Sequence, residues 1–452
     1  MKYSSVLLAG SAASTAYALN LGAICDAIED GGNWYCSNPV SQFLYSDLNF
    51  PGKYRAVASM DNSGTCTFKD RAYEGPLAPF DEDLSLHFRG KANILNVAVY
   101  KPSSSSSSKR EVPQTSHSKR HGHGHRHLHK KYHEEEEEMK KRGDMVIATI
   151  NGQVQSWVNN YFGPATTSTA AAGYATASVA TSATTTASAS KTTSTSSEAS
   201  SYPTGDFPRV AYYNAADKTA EGLVFLNHHG GEGSGVWDTV WGNSLSYCNE
   251  DGTSGASSPT VFNGEIADGE EVVIMSDKSC DDADADCGVV REGTVAYKGF
   301  EGATKVFVVE LTMPDTGSTA TNMNMPAFWL LNAAIPRTAQ YADCSCWKGD
   351  NSSPNEGGCG ELDVIEILAS GDTRAKSTFH FAKSLGNSAY IKRPTEDNLT
   401  VAVLFHEGKQ TVSIKTLSDF DWPTSLSSDQ VDEILSEESS TNLFSLMSFL
   451  SS

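Results

Sequence analysis

Three carboxylates lie within six residues of this chain, at Glu361, Asp363 and Glu366. The residues between them are Leu, Val and Ile, which favour β-strands. Because successive strand side chains alternate between the two faces, Glu361 and Asp363 share a face, and Glu366 joins them only if a β-bulge adds one residue. A row of like charges does not stabilise a sheet. The pattern therefore predicts either a solvated strand face or a site that needs one protonated and one ionised carboxyl group.

The flanking residues favour the second interpretation. A Gly-Cys-Gly sequence precedes the acids at 358–360, and an Ile-Leu-Ala sequence follows them at 367–369. The segment is therefore typical of a strand inside a sheet rather than of a frayed edge. We expect the bulge near Val364 and Ile365, where it returns Glu366 to the face of the other two acids.

The N-terminus indicates export. Residues 1–18 have the features of a signal peptide, with Lys2 before a short apolar run and a small-residue cleavage site at Ala16-Tyr17-Ala18. The apolar run is too short to span a bilayer, and we expect no transmembrane segment. An extracellular, oxidising environment suits the chain's nine cysteines.

The cysteines divide into an odd and an even set. Three near the N-terminus leave one thiol unpaired, and six in the C-terminal half allow three disulfides. Cys280 and Cys287 enclose four aspartates and predict a small disulfide loop. That loop is either a solvated acidic turn or a structural calcium site, because carboxylate oxygens are the ligands calcium prefers. We expect no metal ion among the candidate site residues and no cofactor.

The charge balance limits the partners. A formal net charge of −21 over 452 residues argues against nucleic acid and against an anionic membrane surface. A neutral polymer suits it better. Two glycosylation sequons, at Asn351 and Asn398, fit a secreted protein, and we expect a monomer.

Composition divides the chain into segments. Residues 19–163 predict an N-terminal β domain, in which an Asn-Gly turn at 151–152 joins two strand-like runs into a hairpin. A disordered insertion at 101–143 interrupts it and holds seven of the twelve histidines and several dibasic candidate processing sites. This insertion is either a solvated loop or a metal-binding tract. Residues 164–206 form a Ser/Thr-rich linker, 207–440 a second domain, and 441–452 a tail too short for a clear lipid-anchor signal.

The second domain is predicted to be all-β. Short apolar runs alternate with Gly, Asn, Asp and Ser clusters, and helical periodicity is confined to a short stretch near Asp429–Ser436. This pattern predicts a β-sandwich. The strand-like runs are at 272–275, 305–311, 325–331, 361–366, 377–381, 401–405 and 411–414.

Two aromatic side chains flank the acids along the chain. Trp329, in the run before them, is either a core residue or a platform on which a pyranose ring stacks. His380, in the run after them, lies at the distance of a turn and the next antiparallel strand. It is either a structural residue or a hydrogen-bonding partner of the acids across one strand.

These residues together resemble glycoside hydrolase family 16. The resemblance rests on the acidic hexapeptide, the upstream Pro-Ala-Phe-Trp-Leu-Leu and the downstream Phe-His. The wider layout is similar to fungal cell-wall proteins of the target-of-SBF type, which implies a concanavalin-like jelly-roll sandwich, a β-1,3-glucan substrate and the fungal wall as location. The motifs that carry this second likeness are at 75–79, 86–90, 227–231 and 344–347.

The resemblance also implies roles for single residues. Glu361 matches the nucleophile of a retaining double-displacement mechanism, Glu366 the general acid/base, and Asp363 the carboxylate that tunes them. Trp329, Trp347 and His380 are then expected to bind substrate. Two alternatives stay open. A transglycosylase would use the same covalent intermediate, and a non-catalytic wall protein would only bind glucan, with Trp34 and Trp157 available for stacking.

Overall fold

The computed structural model describes residues 25, 27–103, 145–150, 153–158, 207–347, 358–437 and 444–451. These residues form twenty-eight strands and one α-helix. No helix in these ranges is both long and apolar enough to cross a membrane. The protein is therefore predominantly β, as the sequence predicts.

The elements are numbered in chain order. The strands before the linker are β1 (Ile28–Asp30), β2 (Asn33–Tyr35), β3 (Gln42–Ser46), β4 (Gly52–Met60), β5 (Cys66–Tyr73), β6 (Leu84–Arg89), β7 (Ala92–Tyr100), β8 (Met145–Ile150) and β9 (Gln153–Val158). The next are β10 (Phe207–Asn214), β11 (Thr219–Glu221), β12 (Leu223–Asn227), β13 (Trp237–Asp238), β14 (Gly242–Asn243), β15 (Ser246–Cys248), β16 (Gly255–Ala256), β17 (Glu265–Ile266), β18 (Glu271–Ser276), β19 (Lys305–Thr312) and β20 (Ala327–Asn332). The last are β21 (Glu361–Ile367), β22 (Arg374–His380), β23 (Leu385–Gly386), β24 (Ile391–Lys392), β25 (Leu399–His406), β26 (Thr411–Leu417), β27 (Ser425–Leu426), helix α1 (Ser428–Leu435) and β28 (Phe444–Ser448), with 3₁₀ turns at Glu407–Lys409 and Phe449–Ser451.

Two sheets of ten strands each dominate the fold. Sheet I has the order β11-β10-β7-β19-β25-β26-β3-β28, with β17 beside β7 and β27 beside β10. Sheet II has the order β16-β15-β12-β18-β6-β20-β21-β22-β23, with β24 beside β22. Neighbouring strands run antiparallel, except that β28 runs parallel to β3.

Strands from both sides of the linker share these sheets. In sheet I, β7 lies between β10 and β19, and in sheet II, β6 lies between β18 and β20. Residues 19–163 and 207–440 were expected to form two domains, yet both ranges contribute strands to the same two sheets. The partners of β6 and β7 lie far along the chain, so no local pattern could reveal these pairings.

One apolar cluster contains side chains from both sheets. Val97 and Val309 come from sheet I, and Leu86, Phe328 and Leu362 come from sheet II. Each of these side chains is completely buried. Burial of this cluster is the main stabilising contribution to the two sheets.

The opposite face of sheet I is also covered. Alternation along β19 sends Val306 and Val308 into a second cluster, where they meet Val431 and Ile434 of α1. A capping box fixes the start of α1, since the Ser427 hydroxyl accepts from the Gln430 backbone N–H and the Gln430 side chain accepts from the Ser427 N–H. Sheet I is therefore buried on both faces. The outer face of sheet II, which is turned away from the shared cluster, is partly covered by two smaller clusters that contain Trp329 and Val273.

Several local predictions are confirmed. The predicted hairpin is present as β8 and β9, which form a two-stranded sheet of their own. The short helix is present as α1, and every strand-like run named above for the second domain coincides with a strand. The signal peptide, the histidine tract, the Ser/Thr-rich linker and the sequon at Asn351 lie outside the described residues.

The disulfides differ from the predicted division. The bonds are Cys25–Cys36, Cys66–Cys344, Cys280–Cys287 and Cys346–Cys359. The small acidic loop is thus closed as predicted. The unpaired thiol is not in the N-terminal set, because Cys66 is bonded to Cys344 in the C-terminal half. The unpaired cysteine is Cys248, which is buried.

The bond that joins β5 to the loop before β21 should matter most for stability. Cys66 and Cys344 are 278 residues apart in sequence, whereas Cys280 and Cys287 are 7 apart. A cross-link that closes a longer loop removes more entropy from the unfolded chain. We expect the Cys66→Ala/Cys344→Ala double variant to lose about 2–5 kcal/mol of unfolding free energy in denaturant titration. The Cys280→Ala/Cys287→Ala variant is the matched control, and an equal loss in both would contradict the prediction.

Candidate active site

The predicted β-bulge is present in β21. Against β22, Asp363 pairs with Thr378 and Glu366 with Lys376, so three steps along β21 match two along β22. The pairing with β20 shifts at the same place. Val364 and Ile365 both enter the buried cluster between the sheets. Glu361, Asp363 and Glu366 therefore point to the outer face of sheet II, away from that cluster.

A buried serine compensates for the bulge. A bulge leaves a strand carbonyl without its usual ladder partner, and a buried carbonyl requires a donor. The Ser377 hydroxyl donates to the Asp363 carbonyl oxygen at 2.8 Å, and the Tyr45 hydroxyl donates to Ser377 Oγ at 2.8 Å. Ser377 and Tyr45 lie on β22 and β3, which belong to different sheets. Side chains from both sheets therefore stabilise the bulge.

The register places the neighbours of each acid. Glu361 lies between Leu331 and His380, Asp363 between Trp329 and Thr378, and Glu366 between Ala327 and Lys376. Residues directly opposite on neighbouring strands share a face. The rows continue over β6, where His87 is opposite Trp329 and Arg89 is opposite Ala327.

Glu361 is held by an indole. The Trp347 Nε1–H donates to Glu361 Oε2. Trp347 is fixed on one side by the Cys346–Cys359 bond, which also joins it to the start of β21. Gly360 has φ of 115° and lies against the Phe80 ring, so a side chain there would be strained. Backbone and disulfide together set the direction of the Glu361 side chain.

Asp363 is paired with a histidine on the next strand. His380 Nε2 lies 2.9 Å from Asp363 Oδ2, and the two side chains are 13% and 9% exposed. Burial by itself would lower the pKa of His380, but the hydrogen bond with Asp363 and the charge of that carboxylate raise it to about 9. His380 is thus a cation near neutral pH, and its Nδ1 has no partner among the described residues.

Glu366 is paired with an arginine two strands away. Arg89 on β6 donates from Nη2 to Glu366 Oε1 at 3.0 Å and from Nε to the Met325 carbonyl at 2.8 Å. Ala327 stands between them on β20, and its small side chain leaves room for the guanidinium to cross. A larger residue at position 327 would block this contact.

Both glutamates bind their protons more tightly than usual. Burial, followed by the charge of Asp363, raises the pKa of Glu361 well above its ordinary value. The same two causes raise the pKa of Glu366, against the opposing effect of the Arg89 cation. Two interacting glutamates lose their protons in two steps that belong to the pair. One proton can therefore stay on the pair near neutral pH, as acid–base chemistry requires.

Trp329 lies at the centre of the site but is almost entirely buried. Its side chain is 7% exposed and packs in a cluster with Tyr54, Tyr73 and Ile335. Its ring stacks on the His87 ring, with centroids 5.1 Å apart. This packing favours a supporting residue beside Asp363 over an open platform for a sugar.

Sequence reasoning missed the contribution of β6. His87 and Arg89 precede the linker, and only the insertion of β6 between β18 and β20 brings them to the acids. Both residues belong to the motif at 86–90, which carries part of the family resemblance. That motif does not indicate which strands lie beside β6. Across the described ranges, no group of three or more His, Cys, Asp or Glu side chains is arranged to hold a metal ion. In the acidic loop, Asp284 pairs with Lys278 at 2.9 Å.

Family comparison covers both parts of the chain. The family described as cell wall protein YJL171C/Tos1, C-terminal, matches residues 205–434. The companion family for the N-terminal part matches residues 41–102. The two matches lie on either side of the linker and include β6, β20, β21 and β22, the strands that build the site. No solved structure matches the chain.

Curated relatives extend over nearly the whole chain. A protein of Arthroderma benhamiae named probable circularly permuted 1,3-beta-glucanase is 38% identical over 93% of this chain and 94% of its own length. A Candida albicans protein named probable circularly permuted 1,3-beta-glucanase TOS1 is 36% identical over 97% of this chain and 99% of its own length. A Saccharomyces cerevisiae protein of the same name is 39% identical over 92% of this chain and 94% of its own length. The chain belongs to the YJL171C/Tos1 family of cell wall proteins.

Proposed function

We propose that the protein is a retaining β-1,3-glucanase of the cell wall, with Glu361 as nucleophile and Glu366 as acid/base. The observation that carries this proposal is the bulge in β21, which brings three carboxylates to one face of sheet II, where burial and the charge of Asp363 raise the pKa of both glutamates. The names of the curated relatives supply the substrate class.

The proposed reaction has two displacements. In the first, the Glu361 carboxylate attacks the anomeric carbon while the Glu366 carboxyl gives its proton to the departing glycosidic oxygen. In the second, the Glu366 carboxylate takes a proton from water, the water oxygen attacks the anomeric carbon, and Glu361 is released. Asp363 stays ionised between the two glutamates in this proposal, and its negative charge raises the pKa of both.

Three other side chains have supporting roles in the proposal. His380 holds Asp363 in place through the contact between its Nε2 and Asp363 Oδ2. Trp347 orients Glu361 through its indole N–H. Trp329 supports Asp363 from the neighbouring strand and does not stack on a sugar, because its ring is stacked on the His87 ring.

We infer that the two sheets form a circularly permuted jelly-roll sandwich. The support is the shared apolar cluster between the sheets, together with the position of β6 and β7 inside sheets otherwise built largely from strands after the linker. The relatives' names describe the same rearrangement.

Alanine variants with azide test the two roles. Azide can replace a missing carboxylate nucleophile, or attack a glycosyl-enzyme that lacks its base. We expect Glu361→Ala to give the α-glycosyl azide from an activated β-glucoside, by a single displacement. Glu366→Ala should give the β-glycosyl azide, by two displacements. Without azide, each variant should lose at least about 1,000-fold in kcat on laminarin, because each lacks a group that takes part in covalent or proton transfer.

Product analysis on laminari-oligosaccharides separates the alternative functions. Shorter products support the hydrolase, and longer products select the transglycosylase, in which a sugar hydroxyl replaces water. Binding of laminarin by the wild type without cleavage or chain transfer would reject both enzymatic functions. The same azide product from both variants would contradict the assigned roles.

The Arg89 contact predicts a change in the pH profile. Four charged groups influence Glu366, namely Asp363 and Glu361 on its own strand, Arg89 on β6 and His380 on β22. Because a nearby cation favours ionised carboxyls, its removal in Arg89→Gln should raise both pKa values of the glutamate pair. We therefore expect the bell-shaped profile of kcat/KM on laminarin to move to higher pH.

A charge-preserving variant is the control. Arg89→Lys keeps the cation but loses the planar fork that bonds Met325 through Nε and Glu366 through Nη2, so its pH profile should stay near that of the wild type while its rate falls. A profile that does not move in Arg89→Gln would show that the guanidinium acts on Glu366 only through packing.

A further inference from the structure

Tyr341 holds an aromatic ring in solvent at the edge of the site. Its side chain is 56% exposed. Its hydroxyl donates to Glu271 Oε2, and its ring meets the His228 ring edge-on, with centroids 5.2 Å apart. The ring is therefore fixed at two points although most of its surface is uncovered.

The acceptor for Tyr341 is part of a built network. Glu271 Oε1 lies 2.7 Å from His87 Nδ1 and accepts from Gln340 Nε2 at 3.1 Å. His228 Nε2 lies 3.6 Å from the same oxygen. Although burial would raise it, these histidines hold the pKa of Glu271 well below its usual value. Glu271 is thus an ionised acceptor, which makes its bond with the tyrosine hydroxyl strong.

Folding alone gives little reason for this arrangement. An exposed aromatic ring contributes little burial energy, and fixing it costs side-chain entropy. Four separate elements nevertheless supply the groups around it, since His87 is on β6, His228 follows β12, Glu271 is on β18, and Gln340 follows β20. A fixed, exposed ring is useful to a ligand that stacks on it, and pyranose rings offer the required apolar C–H face.

The network lies on the same face as the acids. Glu271 is opposite Arg89, Arg89 is opposite Ala327, and Ala327 is opposite Glu366. This row crosses three strand spacings, or about 14 Å. An oligosaccharide whose cleaved linkage lies at Glu366 can follow the row and reach Tyr341 with a more distant sugar.

We propose that Tyr341 is a stacking surface for a glucosyl unit of the substrate, remote from the cleaved linkage and oriented by Glu271. The inference rests on the proposed glucanase function and assigns a length preference to it. Long oligosaccharides gain the contact with Tyr341, and short ones that do not reach the ring gain nothing.

Substrate length provides the test. The kcat/KM of the wild type and Tyr341→Ala is measured on β-1,3-gluco-oligosaccharides of increasing length. We expect Tyr341→Ala to lose about fivefold in kcat/KM on the long substrates, mainly through KM, because one stacked ring contributes on the order of 1 kcal/mol. Its rates on the shortest cleaved substrates should be unchanged. Tyr341→Phe keeps the ring and should retain most of the long-substrate preference, whereas Tyr341→Leu should behave like the alanine variant.

The outcomes are distinct. No loss in Tyr341→Ala, or an equal loss at every length, would overturn the subsite. If the wild type cleaves no oligosaccharide at all, the proposed function fails, and calorimetric binding of the long oligosaccharides still tests the subsite. Weaker binding by Tyr341→Ala than by Tyr341→Phe would support it, and equal binding by both would overturn it.

Discussion

One extra residue in β21 determines what this fold can do. A regular strand would send Glu366 into the apolar cluster between the sheets, where an unpaired carboxyl is costly. The bulge instead turns Val364 and Ile365 inward and returns Glu366 to the outer face of sheet II. It persists because Ser377 supplies the donor that the displaced carbonyl needs, and because Tyr45 from the other sheet holds that serine in place.

The three acids repel one another, and the surrounding elements offset this repulsion separately. His380 neutralises Asp363, Arg89 faces Glu366, and Trp347 gives Glu361 a hydrogen bond without a charge. The compensation is therefore unequal. Asp363 and Glu366 each bond a cation, whereas Glu361 bonds an indole N–H and is also influenced by the His380 cation. The two glutamates lose their protons in steps that belong to the pair. In the proposed reaction the pair donates its first proton through Glu366.

Much of this site could be predicted from the sequence because it is local. The acids and the residues that create the bulge lie within one strand, and His380 lies on the next strand along the chain. Trp329 lies opposite Asp363 on the neighbouring strand, but its burial depends on Tyr54 and Tyr73, which come from a distant hairpin. Arg89, Tyr341 and the bond between Cys66 and Cys344 were not predictable, since each depends on strands that meet across the linker. The alternation of apolar and polar residues indicates that a segment is a strand and which of its side chains share a face. It does not indicate which strands lie beside it.

This non-local pairing also explains why the segment before the linker is not an accessory. β6 separates β18 from β20 in sheet II, and β7 separates β10 from β19 in sheet I. Without them each sheet would be divided in its middle and would expose unpaired backbone groups on two new edges. The same strand that closes sheet II carries Arg89 and His87. Because one strand does both, the geometry of Glu366 and the integrity of the sheet depend on each other, and a change that loosens β6 should disturb the chemistry before it unfolds the protein.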